Sequence, residues 1–78
     1  MIIVDILHPE WQKSIEASAV FLPGTLGEFE VLQDHAPLIS GLSKGSVRWR
    51  TESGEMQSIQ ISGGIVKVDN NNITVCVE

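Results

Sequence analysis

The stretch Val47-Arg48-Trp49-Arg50 decides the fold class, because apolar and charged side chains alternate in it residue by residue. Successive side chains of a β-strand point to opposite faces, so Val47 and Trp49 share one face and the two arginines the other. One face packs on a core and the other meets water, which is typical of an antiparallel sheet. The Trp49 ring is predicted to lie in the core, with its N–H bonded to a partner.

The same period of two residues recurs along the chain, and turn-forming residues separate the runs. The alternating runs include 59–62, 66–68 and 73–77, and the turn signals include Pro23-Gly24, Lys44-Gly45, Ser53-Gly54, Gly63-Gly64 and Asn70-Asn71-Asn72. Glycine and asparagine tolerate the positive φ of tight turns. The pattern predicts an all-β sandwich or barrel without a helix. Even the stretch nearest to a helical pattern, Glu10 to Val20, is interpreted as two strands, 11–14 and 16–22.

Length and charge exclude several classes of protein. The chain has 78 residues, and five Lys and Arg against ten Asp and Glu give a net charge of −5. We expect a single domain over residues 1–78, of marginal stability because it buries only about 60% of its unfolded surface. The acidic balance argues against nucleic acid and anionic lipid as partners. With no signal peptide and no membrane-length apolar run, a soluble intracellular protein is predicted.

The numbers of cysteine and histidine residues exclude an internal disulfide and a structural zinc site as sources of stability. The single cysteine, Cys76, cannot form an internal disulfide. Together with the two histidines of the chain, His8 and His35, it provides fewer than the four ligands of a structural zinc site. We expect neither metal nor cofactor, which leaves a partner protein as the leading source of extra stability. A small buried thiol is predicted at Cys76 in preference to a reactive one, since no basic neighbour is evident in the sequence.

Titratable groups cluster between residues 28 and 35, where Glu28, Glu30, Asp34 and His35 lie. A general acid–base pair requires two such groups converging on a cleft. The favoured interpretation is a solvated acidic face that contacts a partner. For Asp34 and His35, two interpretations have equal weight. Either the two side chains form a hydrogen bond, or the His35 ring fixes the turn before Pro37.

Two features of the sequence are candidates for binding a partner or ligand: an aromatic residue, Trp11, and a run that contains two glycines. Trp11 is a candidate interface residue, with packing at the edge of the core as the alternative. The run from Pro23 to Gly27 is compared with phosphate-binding loops, but no Gly-Lys-Ser/Thr and no helix pattern follow it. A P-loop is therefore not predicted.

The segment Leu22-Pro23-Gly24-Thr25-Leu26-Gly27-Glu28-Phe29-Glu30-Val31-Leu32-Gln33-Asp34-His35-Ala36-Pro37-Leu38 resembles the signature of the F-type ATP synthase epsilon subunit family. That family typically shows V-P-G-x-x-G-E-[LF]-G-[IV]-L-P-x-H-A-P-L. Three later pieces are similar to family motifs in the same order: Lys44-Gly45-Ser46-Val47-Arg48, Ser62-Gly63-Gly64-Ile65 and Asn72-Ile73-Thr74-Val75. The ordered set covers nearly the whole chain.

The resemblance implies a single flattened antiparallel β-sandwich of about ten short strands, which is the N-terminal domain of the family. It implies a non-catalytic rotor subunit of the central stalk, bound to the gamma subunit and to the polar loops of the c-ring in a proton-translocating ATP synthase. ATP chemistry then lies on the alpha and beta subunits. Localisation at the cytoplasmic face of a bacterial plasma membrane follows, with membrane association only through the complex.

By match to the family motif, ring contact is assigned to the loop Gly27, Glu28 and Phe29, where Glu28 is suited to meet a basic residue. Contact with gamma is assigned to one histidine at the end of the first strand and to the stretch that follows Asp34; the residues are His8, His35, Leu38, Ser40 and Leu42. Both assignments are expectations from the resemblance.

Three departures from the family pattern bear on these assignments. Glu30 stands where the family has glycine and Gln33 where it has proline, so the loop is more acidic. The family usually continues into two C-terminal helices that brake ATP hydrolysis. If the 78 residues are the whole gene product, only the coupling role is expected to remain. The alternatives are a free-standing β-sandwich that binds a ligand such as a sugar through Trp11, and a small hydrolase with Glu28 or Asp34 as base.

Overall fold

The computed structural model describes all residues from 1 to 78, which form nine β-strands and no helix. The all-β class is confirmed, with nine strands where about ten were expected. No segment forms a helix of the length and apolarity needed to cross a membrane. In chain order the strands are β1 (Ile2–Leu7), β2 (Gln12–Ala17), β3 (Ala19–Gly24), β4 (Gly27–Leu32), β5 (Leu38–Leu42), β6 (Gly45–Arg50), β7 (Met56–Ile61), β8 (Gly64–Asp69) and β9 (Asn72–Val77).

The strands form one continuous sheet that folds over on itself. Its order is β2-β1-β9-β8-β5-β3-β6-β7, and β4 pairs with β3 as an additional edge. The link between the two halves is narrow, because β5 and β3 pair only at Gly24 and Leu42. The strands on either side of this link face each other across one core.

The core is made by the inward-facing residues of the alternating runs. Sixteen buried apolar side chains form one cluster, and Ile15, Phe29, Leu38 and Ile59 pack against it while partly exposed. Trp49 is 2% exposed, and its indole N–H donates to Oε1 of Gln57 at 3.2 Å on the neighbouring strand. The prediction of a buried, hydrogen-bonded Trp49 is confirmed. The ammonium of Lys13, on edge strand β2, lies 5.8 Å from the same ring and helps to close the open side of the core.

One strand pair departs from the expected antiparallel arrangement. The first and last strands, β1 and β9, pair in parallel, with Ile3 opposite Asn72 and Leu7 opposite Cys76. All the other pairs are antiparallel. Parallel neighbours cannot be joined by a tight turn. The intervening strands of the whole domain make this connection.

Two expectations from the sequence are wrong in detail. The break between the strands predicted at 11–14 and 16–22 falls at Ser18, because β2 follows β1 in a hairpin over its full six residues. At the break, the backbone N–H of Ser18 donates to the carbonyl of Arg50 at 2.9 Å. Cys76 is exposed, not buried. Its side chain points to the other face of the sheet from those of Val75 and Val77, as the alternation predicts. No second layer covers that outer face of β9.

Candidate partner-binding surface

The β3–β4 hairpin presents a leucine at its tip. A two-residue loop, Thr25-Leu26, joins the paired residues Gly24 and Gly27. Gly24 is required here because a Cβ atom would lie 2.7 Å from the carbonyl oxygen of Gly27 and 2.9 Å from the Phe29 ring. Leu26 is fully exposed. The tip therefore offers an apolar side chain to a partner, and no local pattern in the sequence indicates this exposure.

Glu28, the residue expected to meet a partner's cation, is engaged within the chain. Nη2 of Arg48 donates to Oε1 of Glu28 at 2.6 Å. The guanidinium also lies 5.0 Å from the centre of the Phe21 ring, so it is held on two sides. Both side chains of the ion pair are about half exposed, and such surface pairs contribute only about 0–1 kcal/mol to stability. A partner cation therefore has to compete with Arg48 for this carboxylate.

The other two residues of the expected ring contact differ in exposure. Gly27 is exposed and has a φ of 129°, a backbone conformation open chiefly to glycine. Phe29 points inward and packs partly buried against the core. Of the three, Gly27 and Glu28 face the surroundings, while Phe29 supports the hairpin from beneath.

Strand β5 turns three of its expected contact residues inward. Leu38 and Ser40 are half-buried, and Leu42 is 5% exposed and belongs to the core cluster, so its side chain is not available to a partner. The exposed member of the strand is Ile39, at 73%. The sequence offers little to decide this, because Leu38 and Ile39 are adjacent and both apolar. The contact of Leu42 with gamma stays a prediction, and its side chain packs in the core.

The β1–β2 hairpin places His8 beside Trp11. Their rings stack at a centroid distance of 5.0 Å and an interplanar angle of 7°. Nδ1 of His8 accepts a hydrogen bond from the backbone N–H of Glu10 at 3.1 Å, which orients the ring. Trp11 is 43% exposed, as expected for a candidate interface residue.

Asp34 and His35 are adjacent but do not bond to each other. Nδ1 of His35 donates to the carbonyl oxygen of Ala36 at 2.7 Å, so the ring fixes the local turn. Asp34 instead bonds to Asn71 in the β8–β9 turn. The turn-fixing interpretation of His35 is confirmed, and the alternative of an Asp34–His35 pair is wrong.

The structure brings the hairpin and β5 together around one shallow depression. Its lining includes residues from both expected contact sets and two exposed aliphatic side chains: Gly24, Leu26, Gly27, Glu28, Phe29, Leu38, Ile39 and Ser40. His8 lies apart from it, at the end of β1, with β8 and β9 between β1 and β5. The residues expected to contact the c-ring therefore lie next to the β5 residues expected to contact gamma, whereas His8 lies apart from both.

The acidic cluster does not form a catalytic constellation. Glu28 and Glu30 lie on the outer face of edge strand β4, opposite Pro23 and Phe21, while Asp34 bonds to Asn71. These carboxylates are exposed and do not converge on a concave pocket. No group of three or more His, Cys, Asp or Glu is arranged to hold a metal ion. This geometry counts against the hydrolase alternative.

Fold and surface together define a small β-sandwich domain with exposed hairpin loops. The family model for the beta-sandwich domain of the ATP synthase Delta/Epsilon chain matches residues 1–78, and the chain belongs to that family.

The sequences of two relatives agree with this family. The chain is 43% identical over 63 residues to the ATP synthase epsilon chains of two strains of Desulfitobacterium hafniense, DCB-2 and Y51, a match that covers 81% of this chain. The chain spans about half the length of these relatives, 47% in both.

Two solved structures share the fold. A chain in the Euglena gracilis mitochondrial ATP synthase matches with a TM-score of 0.91 at 23% identity, over 97% of this chain and 49% of its own length. A chain in the central stalk and c-ring of the Tetrahymena thermophila enzyme matches with a TM-score of 0.82 at 14% identity, over 97% and 62%.

Proposed function

We propose that this domain is a non-catalytic part of the central stalk of a proton-translocating F-type ATP synthase, where it couples the gamma subunit to the c-ring. The observation that carries the proposal is the family match over residues 1–78. The relatives at 43% identity are epsilon chains of ATP synthase, and one structural neighbour is in a central stalk and c-ring assembly. Rotation is transmitted only if both interfaces resist slipping under torque.

The ring contact is proposed at the tip of the β3–β4 hairpin, around Gly27 and Glu28. The tip is a two-residue loop, and Glu28 lies beside it on the outer face of β4. The gamma contact is proposed at His8, at His35, and along β5 at Leu38 and Ser40, with Ile39 as the exposed side chain of that strand. Phe29 and Leu42 contribute from the interior by holding the two strands in place.

In a bacterial cell this role places the domain at the cytoplasmic face of the plasma membrane, held there through the complex. No nucleic acid, metal or cofactor is needed for it. The sugar-binding alternative has little support, because one face of the Trp11 ring is already covered by His8. Stacking on a sugar would have to use the remaining face.

The test is co-purification with the partner. The 78-residue chain is expected to bind purified gamma in a pull-down and to raise the solubility of gamma. Glycan titration by calorimetry is expected to give no heat. If both proteins are folded by circular dichroism and do not co-purify, the proposed function is wrong.

A further inference from the structure

Strand β7 is an open edge of the domain that carries no protecting charge. Three strands, β2, β4 and β7, each pair with a single neighbour. Such edges present unpaired backbone groups to any other strand, and natural proteins blunt them with charged side chains, proline or a bulge. β2 carries Lys13 and Glu16, and β4 carries Glu28 and Glu30. β7 consists of Met-Gln-Ser-Ile-Gln-Ile and has none of these devices, since its register with β6 is unbroken.

The backbone of β7 alternates between groups bonded to β6 and groups that face outward. The β6–β7 hairpin closes with the N–H of Thr51 donating to the carbonyl of Glu55 at 2.8 Å. Hydrogen-bonded pairs recur at every second residue of an antiparallel ladder, so the next such pair is Trp49 with Gln57. The residues between these pairs point their N–H and C=O groups away from β6, and they are Met56, Ser58 and Gln60.

The side chains of β7 leave this edge uncovered. Nε2 of Gln60 donates to Oγ of Ser46 at 2.6 Å, and Oε1 of Gln57 accepts the indole N–H of Trp49. Both glutamine side chains are therefore drawn toward β6 and away from the edge. An edge ordered in this way is prepared for pairing, because its side chains have little conformational freedom left to lose.

We propose that β7 pairs with β7 of a second copy of this chain, antiparallel about a two-fold axis at Ser58. In this register Ser58 lies opposite Ser58 of the second copy, and Met56 lies opposite Gln60. The outward-facing groups of these residues form about six backbone hydrogen bonds across the axis. No charges are opposed, because β7 has none. The same pairing of β4 about Glu30 opposes two carboxylates, which is destabilising.

Pairing through β7 closes on itself and goes beyond the proposed function. A two-fold contact uses the same patch on both copies, so no β7 edge is left free. The joined sheet runs from β4 through β3, β6 and β7 of one copy into the same strands of the second in reverse order. It ends on β4, whose glutamates protect it, so the product is a dimer and not a fibre. No residue of β7 is among those proposed to bind gamma or the c-ring.

The contact is small, so the dimer is weak. The paired edge is about 20 Å long, because each of its residues adds about 3.4 Å. With a width of about 10 Å it covers about 200 Å² on each copy, whereas a standard interface takes about 800 Å². We therefore expect a dissociation constant between about 0.05 and 1 mM.

Self-association is the first readout, and its salt dependence distinguishes backbone pairing from ion pairing. Each copy carries a net charge of −5, and salt screens the repulsion between copies because the Debye length is only about 8 Å at physiological ionic strength. Sedimentation equilibrium of the 78-residue chain is expected to show a monomer–dimer equilibrium. Dimerisation is expected to strengthen at least about twofold between roughly 0.05 and 0.5 M salt.

Matched lysine substitutions locate the contact. Ser58→Lys puts two ammonium groups opposite each other at the two-fold axis, and we expect it to weaken dimerisation about fivefold. Ser14→Lys is the control, because it makes the same change of charge in the middle of another open edge, β2. Its effect is expected to stay within about twofold, since this charge lies far from the axis and is screened.

A proline at the axis removes the pairing without removing a bond of the domain. The N–H of Ser58 points away from β6, and proline is tolerated on an edge strand whose N–H faces solvent. Ser58→Pro is therefore expected to fold, as judged by circular dichroism. It is expected to weaken dimerisation at least about tenfold, because it takes a donor from each side of the axis and its ring blocks close approach.

A disulfide provides a geometric test at the axis. Opposed residues of a hydrogen-bonded pair have Cα atoms about 5.5 Å apart, a distance that a disulfide spans. Ser58→Cys combined with Cys76→Ser is expected to oxidise to a covalent dimer in oxidised glutathione. Ser14→Cys combined with Cys76→Ser is expected to form its dimer at least about tenfold more slowly, because no pairing holds two of its thiols together.

The outcomes separate the possibilities. A dimer that Ser58→Lys and Ser58→Pro weaken, and Ser14→Lys does not, supports pairing through β7. A chain that stays monomeric up to about 2 mM overturns the proposal, as does a dimer that Ser58→Pro leaves intact. Oligomers that keep growing with concentration overturn the closed two-fold pairing. The proposed function stands in each case, because no variant alters a residue proposed to bind gamma or the c-ring.

Discussion

Asp34 and Asn71 are joined by two hydrogen bonds although 37 residues separate them in the chain. The backbone N–H of Asp34 donates to Oδ1 of Asn71 at 2.6 Å, and Nδ2 of Asn71 donates to Oδ1 of Asp34 at 3.1 Å. Both residues have positive φ, 65° and 62°. This clasp ties the loop before β5 to the β8–β9 turn, and so anchors one end of the surface proposed for gamma.

Breaking the clasp is expected to destabilise the domain. Asn71→Ala removes both hydrogen bonds. It also places alanine at a position of positive φ, which alanine adopts less readily than asparagine does. We expect a loss of about 2–3 kcal/mol in the free energy of unfolding. Asn71→Gly removes the same bonds but suits the backbone, so it is expected to lose about 1 kcal/mol less. Urea denaturation of both variants measures the difference. Equal losses would contradict the assigned role of the backbone conformation.

Gly64 is expected to be irreplaceable, for reasons of space. A Cβ atom at this position would collide with the backbone carbonyl of Cys76 on the paired strand. Gly64→Ala therefore has to separate β8 from β9, and we expect a loss of about 3 kcal/mol or more. Gly54 provides the control, because its φ is 88° but nothing lies within 4 Å of a new Cβ. Gly54→Ala is expected to cost about 1 kcal/mol in thermal unfolding followed by circular dichroism. A milder effect at Gly64 than at Gly54 would refute this ranking.

Substitutions of the two members of the Glu28–Arg48 ion pair are expected to have opposite effects on attachment of the domain to the c-ring. Glu28→Lys is expected to weaken ring binding and to leave gamma binding intact, because the carboxylate lies beside the hairpin tip. Arg48→Gln frees Glu28 for a partner cation and is expected to strengthen ring binding. Each change alters the unfolding free energy by less than about 1 kcal/mol, since the pair is half exposed. Binding to rings in detergent is the measurement. Equal loss of ring and gamma binding by Glu28→Lys would mean that the hairpin is placed wrongly.

The two tryptophans are expected to respond very differently to truncation. Trp49 is 2% exposed, so Trp49→Ala leaves a cavity that costs about 3–5 kcal/mol. A domain of this length has a total stability of about 4–12 kcal/mol. Trp11→Ala is expected to cost less than about 1 kcal/mol, because that ring is 43% exposed. In the Trp11→Ala variant, the remaining fluorescence is expected to be blue-shifted and poorly quenched by acrylamide. Strong quenching would show that Trp49 is accessible.

Local alternation was sufficient to predict much of this fold. The inward positions of Val47, Trp49 and Val75 follow from the period of two, because each neighbouring residue is polar or points outward. The pattern does not specify register where apolar residues are adjacent, as at Leu38 and Ile39. It also does not say whether an outward face is covered, and so Cys76 was expected to be buried.

Contacts between distant parts of the chain were beyond prediction from the residues alone. The pair of Glu28 and Arg48 depends on β4 and β6 lying on either side of β3. The clasp between Asp34 and Asn71 depends on the meeting of two loops. Neither leaves a local signal in composition or spacing.

The parallel pairing of β1 and β9 has a consequence for synthesis in the cell. Strand β9 lies between β1 and β8 in the middle of its sheet half, and its partner β1 leaves the ribosome before the other eight strands of the domain. Until residues 72–77 emerge, β1 has only its hairpin partner β2, and a two-stranded hairpin is marginal in water. Contacts between such distant strands are slow to form. The sheet of this domain therefore stays incomplete, and open to proteases and chaperones, until β9 has emerged.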